Sequence, residues 1–310
     1  VRALAEDAGH LSDIGQKPLP AQVFAGGMRA VVQRRLNQVP VSARPLMTYA
    51  AVIGRELDLP LLRTLTPTQP LEQWLEQVAT VIDSGDNQYR FAHDKLREGI
   101  LDELSDSERR LLHQHVAQAI ETTYPDSPEQ YTALAYHWGQ AQNAAKTVYN
   151  ATLAGEQALR SGSYREAMYF FQQALALAPA SQMDARLYFR LHHLMGDAAW
   201  GQTDTQTTRE WHIKAVGLLG LDVPQGARQL QLGALKGLAT HLWQRIVGAR
   251  QRPDVHPDDW LLAAKSLYQL THGSYYDADF RLGIFCLLHS MNTAQRAGNS
   301  PQAQIGREHV

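Results

Sequence analysis

The stretch that decides the fold is ATLAGEQALRSGSYREAMYFFQQALALAP, residues 151–179. Its small residues, its central aromatic residue and its final proline lie at helical spacing on both sides of a short turn: Gly155, Gly162, Ala167, Phe171, Ala174 and Pro179. Small residues let two helices cross closely, and an aromatic side chain fills the space between them. The pattern therefore predicts a helix pair that ends at a proline.

This spacing is typical of a tetratricopeptide repeat. We assign the structural positions of the repeat to five residues, Gly155, Ala167, Phe171, Ala174 and Pro179. Moving the pattern along the chain by 41 residues places Gly196 on Gly155 but puts His212 on Phe171. The next helix pair is therefore predicted to be a degenerate repeat. Residues 127–310 are predicted to form an α-solenoid of such helix pairs, truncated at its end.

The first half of the chain is also mainly helical, with one hairpin. Two apolar runs, Val81–Ile82 and Tyr89–Phe91, flank the turn-rich sequence DSGDN, which is a hairpin signal. Ser105 and Glu108 then have the spacing of a capping box at the start of a long helix. Three short helices followed by a two-stranded wing is the order of a winged-helix domain, which we predict over residues 41–126.

The composition is ordinary for a soluble globular protein. The 310 residues are 44% hydrophobic and 19% charged with a net charge of -2, which gives no electrostatic footprint for nucleic acid or an anionic membrane. The one cysteine, Cys286, cannot form an internal disulfide, and no apolar run reaches the roughly 18 residues of a membrane span. We expect a cytoplasmic chain that is truncated at both ends.

The known catalytic motifs are absent from the sequence. No lysine follows a glycine, so there is no phosphate-binding P-loop, and GxGxxG, GxSxG and HExxH do not occur. We expect no enzyme activity and no bound cofactor for this fragment by itself. His113 and His115 point about 200° apart on a helix, and the adjacent His192 and His193 diverge as well, so no metal site is predicted.

The predicted third helix of the winged-helix domain argues against DNA binding. Its sequence LEQWLEQVAT contains two glutamates and neither lysine nor arginine, and the wing turn DSGDN is acidic. A recognition helix needs cations to contact the phosphates. We therefore expect no direct nucleic-acid contact.

Two long segments resemble one family. Residues 19–62, from LPAQVF to LDLPLL, and residues 89–121, from YRFAHDKLR to HVAQAIE, resemble the region after the AAA-like core of signal-transduction ATPases with numerous domains, the STAND class. The resemblance covers nearly the whole chain. It implies that residues 1–40 end the ATPase core and its lid helices, before the winged-helix domain and the repeats.

The resemblance also implies a mechanism. The full-length protein is expected to be an ATPase that binds ATP or ADP with magnesium, fused to a class III adenylate cyclase, a PknK-like kinase or a LuxR-type transcription regulator. This chain would couple a protein or small-molecule ligand on its repeats to that core and effector, with no membrane contact. The alternative is a tetratricopeptide adaptor for protein-protein interaction with no nucleotide role.

The same resemblance singles out His93 and Asp94 in FAHDKLR. In relatives with a similar motif, the histidine at the end of the winged helix touches the β-phosphate of ADP, which implies nucleotide-phosphate sensing by His93 with support from Asp94. The residues also allow a purely structural interpretation, in which Asp94 caps the helix and His93 is an exposed polar residue.

Overall fold

The computed structural model describes four stretches of the chain, residues 30–85, 88–177, 184–248 and 255–297. Over these residues the protein is mainly helical, with a small two-stranded antiparallel hairpin. It divides into two compact units, Val1–Asn143 and Ala144–Val310. Residues 127–143 thus belong to the first unit, whereas the sequence placed the start of the repeats at residue 127. None of the described helices is long and apolar enough to span a membrane.

The first unit consists of seven described helices and the hairpin. In chain order they are α1 (residues 30–37), α2 (Arg44–Ile53), α3 (Leu59–Leu65), α4 (Leu71–Gln77), β1 (Ile82–Gly85), β2 (Gln88–Phe91), α5 (Asp94–Asp102), α6 (Asp106–Thr123) and α7 (Tyr131–Gln140). Short 3-10 turns precede α2 and α7, at Val41–Ala43 and Pro128–Gln130. Three helices therefore lie between residue 44 and the predicted hairpin, as the sequence indicated.

The hairpin lies where the two apolar runs predicted it. β1 pairs antiparallel with β2, with Ile82 opposite Phe91. The loop before α3 attaches to the outer edge of β2, because the Phe91 amide donates to the Arg55 carbonyl at 3.0 Å and the Leu57 amide donates to the Tyr89 carbonyl at 2.8 Å. These bonds fix the end of β2, and so the start of α5, against the helices of the unit.

The core of the first unit is built around two aromatic side chains. Trp74 of α4 and Phe91 of β2 are fully buried among the aliphatic residues of α2, α3 and α5. The indole N–H of Trp74 donates to the Ala43 carbonyl at 3.0 Å, which satisfies its one polar atom inside the core. Burial of Phe91 anchors the hairpin one residue before the segment of interest, Ala92–Asp94.

The long helix α6 begins at the predicted capping box. The Ser105 hydroxyl accepts from the Glu108 amide, and the Glu108 carboxylate accepts from the Ser105 amide. At the other end of α6, the Tyr124 hydroxyl donates to the Asp58 carboxylate at 2.7 Å. Asp58 also caps α3 by accepting from the Leu61 amide, so one carboxylate joins α6 to α3.

The second unit consists entirely of helices over its described residues. They are α8 (Ala144–Arg160), α9 (Tyr164–Ala176), α10 (Ala185–Gly201), α11 (Thr205–Leu218), α12 (Ala227–Val247), α13 (Pro257–Tyr276) and α14 (Phe280–Arg296). α8 packs on α9, α10 on α11, and α13 on α14, while α9 contacts α10 and α13 contacts both α10 and α11. The longest helix of the unit, α12, packs on α14.

The three helix pairs share one turn conformation. A single residue with positive φ follows the first helix of each pair: Gly162 at 78°, Thr203 at 61° and Ala278 at 54°. The next amide then donates back to a carbonyl of the helix, as in Ser163 N–H to Ala158 at 2.8 Å. This left-handed ending reverses the chain within three residues and recurs from pair to pair.

Candidate functional site

His93 lies at the junction between the hairpin and α5. The preceding residue is tied to the sheet, because the Ala92 amide donates to the Val81 carbonyl at 2.9 Å. His93 is exposed and has an extended backbone, and its Nδ1 accepts a hydrogen bond from the Lys95 amide at 3.1 Å. The histidine is therefore the residue that caps α5.

This cap fixes the tautomer of the neutral ring. Because Nδ1 of His93 accepts, its proton must lie on Nε2. The exposed imidazole then presents an N–H donor next to the first turn of a helix, where the backbone dipoles favour anions. The arrangement can donate a hydrogen bond to an oxyanion such as a phosphate oxygen.

Asp94 has a different place from the one that the structural interpretation gave it. Capping by Asp94 is wrong, because Asp94 is already the first helical residue of α5 and His93 supplies the cap. The Asp94 carboxylate instead pairs with Arg55 Nε at 3.4 Å, and both side chains are more than half exposed. The two residues are adjacent at the junction, and Asp94 links it to the loop before α3.

The described repeat residues meet between α8 and α9. Phe171, Ala167 and Ala174 are fully buried, and the Phe171 ring lies so close to Gly155 that a Cβ added there would be 2.4 Å from it. Glycine at this position is therefore required by the close approach of the two helices. Pro179 lies outside the described residues.

The same contact recurs between α10 and α11 with a histidine in place of the aromatic residue. The His212 ring is fully buried against Gly196, where an added Cβ would lie 2.6 Å from it. The sequence shift that aligned Gly196 with Gly155 thus corresponds to an equivalent packing position in space. A polar ring at this position needs polar neighbours, and the structure supplies them.

His193, Asp197 and Ser266 surround His212. His193 and Asp197 lie one turn apart on α10, and Ser266 of α13 is fully buried between the two rings. Burial lowers the pKa of His193, lowers that of His212 well below its ordinary value, and raises the pKa of Asp197. Both rings are therefore held in their neutral forms.

Sequence reasoning missed this cluster because it examined His193 only with its neighbour His192. The structure separates these two, since His192 Nδ1–H donates to the Tyr188 carbonyl at 2.8 Å, whereas His193 faces α11 and α13. The usable signal was His193 and Asp197 at helical i, i+4 spacing. Nothing in the sequence indicates that Ser266 reaches them.

His113 was likewise expected to be an ordinary polar helix residue, but it is buried. Its Nδ1 lies 2.8 Å from Nδ1 of His137 on α7, so one ring donates and the other accepts. Burial lowers the pKa of His113 to about 4 and that of His137 to about 3. His115, two residues along α6, instead bonds the Tyr49 hydroxyl at 2.8 Å.

Two surfaces of the second unit have the character of binding sites. A cavity of about 250 Å³ is lined by apolar side chains that include Leu267 and Phe285 and by polar ones that include Asp222, Lys236 and Asn292. The helix α12 also exposes a row of large apolar side chains, which we call the α12 apolar surface: Leu232, Leu235, Leu238, Leu242, Trp243, Ile246 and Val247.

No protein-family profile and no curated protein matches the sequence.

Proposed function

We propose that this chain is the regulatory and sensor portion of a nucleotide-dependent signalling switch of the STAND class. In this proposal the first unit contains the winged-helix domain, and the helix pairs of the second unit form a tetratricopeptide-like α-solenoid. The ATPase core that binds ATP or ADP with magnesium, and the effector domain, lie outside the chain. The chain itself is not an enzyme, and it acts in the cytoplasm.

The observation that carries the proposal is the geometry of His93. Its ring is exposed, fixed by its own Nδ1 bond to the Lys95 amide, and left with a donor at Nε2. It lies two residues after the buried anchor Phe91, and the intervening Ala92 is bonded to Val81, so its backbone position is set by the hairpin. A donor on a fixed backbone at the positive end of a helix suits a contact to the β-phosphate of ADP.

Asp94 supports this role through its ion pair. By holding Arg55, it joins the start of α5 to the loop that flanks β2. An exposed pair of this kind contributes little to stability, on the order of 0–1 kcal/mol. We therefore assign Asp94 a positioning role and assign the phosphate contact to His93.

The second unit has the surfaces that a sensor needs. Exposed contiguous apolar side chains, such as the α12 apolar surface, mark interaction sites in soluble proteins. The cavity lined by Lys236, Arg296 and Asp222 offers a second place for a small polar ligand. A protein or small molecule bound at either surface shifts the switch if it distinguishes the ADP state from the ATP state.

The charges of the first unit support protein contact rather than DNA contact. The exposed side of α4 carries Glu72 and Glu76, and the hairpin exposes Asp83. These carboxylates would face the phosphates of a duplex if α4 entered a groove. The winged helix is therefore proposed to contact the ATPase core of its own protein.

The proposal is tested by His93→Ala in the full-length protein that carries the ATPase core. Loss of a hydrogen bond to a charged group is worth about 1.5–3 kcal/mol, so ADP should bind roughly 10- to 100-fold more weakly. Basal output of the effector should rise, because the closed ADP state is weakened. ADP dissociation, followed with a fluorescent analogue, and effector output are the two measurements.

Asp94→Ala is the matched control, since it changes the neighbouring residue and leaves the His93 cap in place. We expect a smaller effect on ADP affinity than that of His93→Ala. Unchanged ADP affinity and basal output in His93→Ala would reject the sensor role and favour the adaptor alternative, which also uses the α12 apolar surface. A GxxxxGK[ST] motif encoded upstream of Val1 is expected for the switch and not for the adaptor.

A further inference from the structure

The second unit contains a compact set of nitrogen and oxygen donors that the proposed function does not use. The Nε2 atom of His193 lies 3.3 Å from Oδ2 of Asp197, and Nε2 of His212 lies 3.5 Å from Oδ1 of the same carboxylate. One donor atom from each of the three side chains lies within 4.8 Å of the others. Two helices, α10 and α11, thus bring three potential metal-binding side chains together.

These separations fit the edges of a tetrahedral metal site. Zinc binds imidazole nitrogen and carboxylate oxygen at about 2.0–2.2 Å, so two ligands at the tetrahedral angle lie about 3.4 Å apart. The two nitrogen-oxygen distances, one to each oxygen of the Asp197 carboxylate, are close to this value. Each imidazole also uses the Nε2 atom that a metal commonly binds.

The outer nitrogens of both rings share one partner. Nδ1 of His193 is 2.8 Å from Ser266 Oγ, and Nδ1 of His212 is 3.2 Å from the same oxygen. A hydroxyl oxygen has two lone pairs, so it can accept from both rings. Both Nε2 atoms are then unprotonated, as metal ligation requires, and Ser266 orients the two rings from behind.

The inner atoms lack the partners that buried polar atoms normally have. Among the residues that the structure describes, neither Asp197 Oδ1 nor His212 Nε2 has a hydrogen-bond partner, although both are buried. If Ser266 instead donates its proton to one ring, the other neutral ring still turns an Nε2 lone pair toward the carboxylate. A cation bound between the three side chains resolves this conflict when Ser266 accepts from both rings, because both Nε2 lone pairs can then bind the ion.

We propose that His193, Asp197 and His212 bind a divalent transition-metal ion of the zinc class. Two imidazoles and a carboxylate suit zinc and its neighbours, whereas magnesium and calcium prefer oxygen ligands throughout. Three protein ligands leave a fourth position, and the Asp197 side chain is 30% exposed, so solvent or another donor can reach it. The site is independent of the nucleotide role of His93.

The repeat pattern supplies a variant that removes a ligand and preserves packing. Because His212 occupies the position that Phe171 fills in the preceding pair, His212→Phe places the ordinary repeat residue against Gly196. Asp197→Asn keeps the size of the carboxylate and removes its charge. His272→Gln, at an exposed histidine on α13, is the matched control for nonspecific binding.

The test is titration of the purified chain with Zn²⁺ by calorimetry and with Co²⁺ by visible absorption. We expect one ion per chain, with Co²⁺ bands typical of tetrahedral coordination. Ser266→Ala, which removes the shared partner of the rings, should weaken binding by about 10- to 100-fold. His212→Phe and Asp197→Asn should weaken it further, while His272→Gln should leave it unchanged.

Thermal unfolding in the presence of a chelator shows which variants fold without metal. If His212→Phe does not fold, metal binding by Asp197→Asn tests the proposal. Wild-type protein that binds no stoichiometric Zn²⁺ or Co²⁺ would overturn the proposal and indicate that a proton alone satisfies the cluster. Stoichiometric binding that persists unchanged in Asp197→Asn would overturn it as well, because the ion would then lie elsewhere.

Discussion

Individual buried histidines explain several contacts that join helices in this protein. His113 joins α6 to α7 through His137, and His212 takes the place of an aromatic residue between α10 and α11. A neutral imidazole can do this because it offers one donor and one acceptor on a flat ring. The cost is that each such ring must stay neutral inside the fold, which makes stability depend on pH.

The His113–His137 pair predicts a loss of stability in mild acid. The pKa values of about 4 and about 3 lie below the ordinary 6.5, so the unfolded chain binds protons first as pH falls. The contribution of the neutral pair to the free energy of unfolding is fully present above pH 6.5, and it declines as the pH falls toward about 4. Over that pH range, each ring changes the free energy of unfolding by up to about 1.4 kcal/mol per pH unit.

Urea unfolding at a series of pH values measures this slope. His137→Gln should reduce the slope by up to about 1.4 kcal/mol per pH unit, the contribution of one proton. The amide of glutamine can still bond His113 but does not titrate in this range. His115→Gln, on the helix α6 that also carries His113, is the control and should leave the pH dependence of the His113–His137 pair in place. An identical pH dependence in wild type and His137→Gln would show that the pair is not the source.

At the scale of elements, the same left-handed turn follows the first helix of each of the three pairs. Gly162 adopts positive φ at little cost, whereas Ala278 adopts the same conformation with a side chain. The turn is therefore determined by the backbone bonds and the packing of the helices as well as by glycine. This explains why the pairs α10–α11 and α13–α14 have the same turn geometry with Thr203 and Ala278 in place of glycine.

Substitutions at these turns should act in opposite directions. Ala278→Gly should stabilise the protein by roughly 0.5–1 kcal/mol, because relief of strain exceeds the added freedom of the unfolded chain. Gly162→Ala should destabilise it by about 1–2 kcal/mol. Denaturant unfolding measures both, with Ala239→Gly on the exposed side of α12 as a control that should cost about 1 kcal/mol.

A loss of stability in Ala278→Gly as large as that in Ala239→Gly would contradict the shared turn. It would mean that the positive φ of Ala278 causes no strain, so that replacing Ala278 with glycine relieves none.

Elements with local signals were predictable from the sequence. The hairpin follows from its apolar runs and turn, and the start of α6 follows from Ser105 and Glu108 alone. The cap of α5 was assigned to the wrong residue, because Asp is the commoner cap and only the position of β2 makes His93 the last extended residue. The His193 cluster depends on three helices meeting, which no local pattern records.

At the scale of the whole molecule, we propose different tasks for the two units. The first presents His93 on a backbone fixed by the hairpin, and the second presents the α12 apolar surface and a cavity. In the proposed switch, a ligand on the second unit changes the balance between two nucleotide states, which requires only a few kcal/mol of differential binding. The metal site would stabilise α10 and α11 within the second unit without entering that balance.

The most direct test of the switch is hydrogen-deuterium exchange of the full-length protein loaded with ADP or with a nonhydrolysable ATP analogue. The account predicts that peptides covering Phe91–Lys95 exchange more slowly with ADP, because the phosphate contact holds the start of α5. His93→Ala should abolish that difference while leaving the hairpin protected. Equal exchange of this segment in both nucleotide states of the wild-type protein would contradict the account.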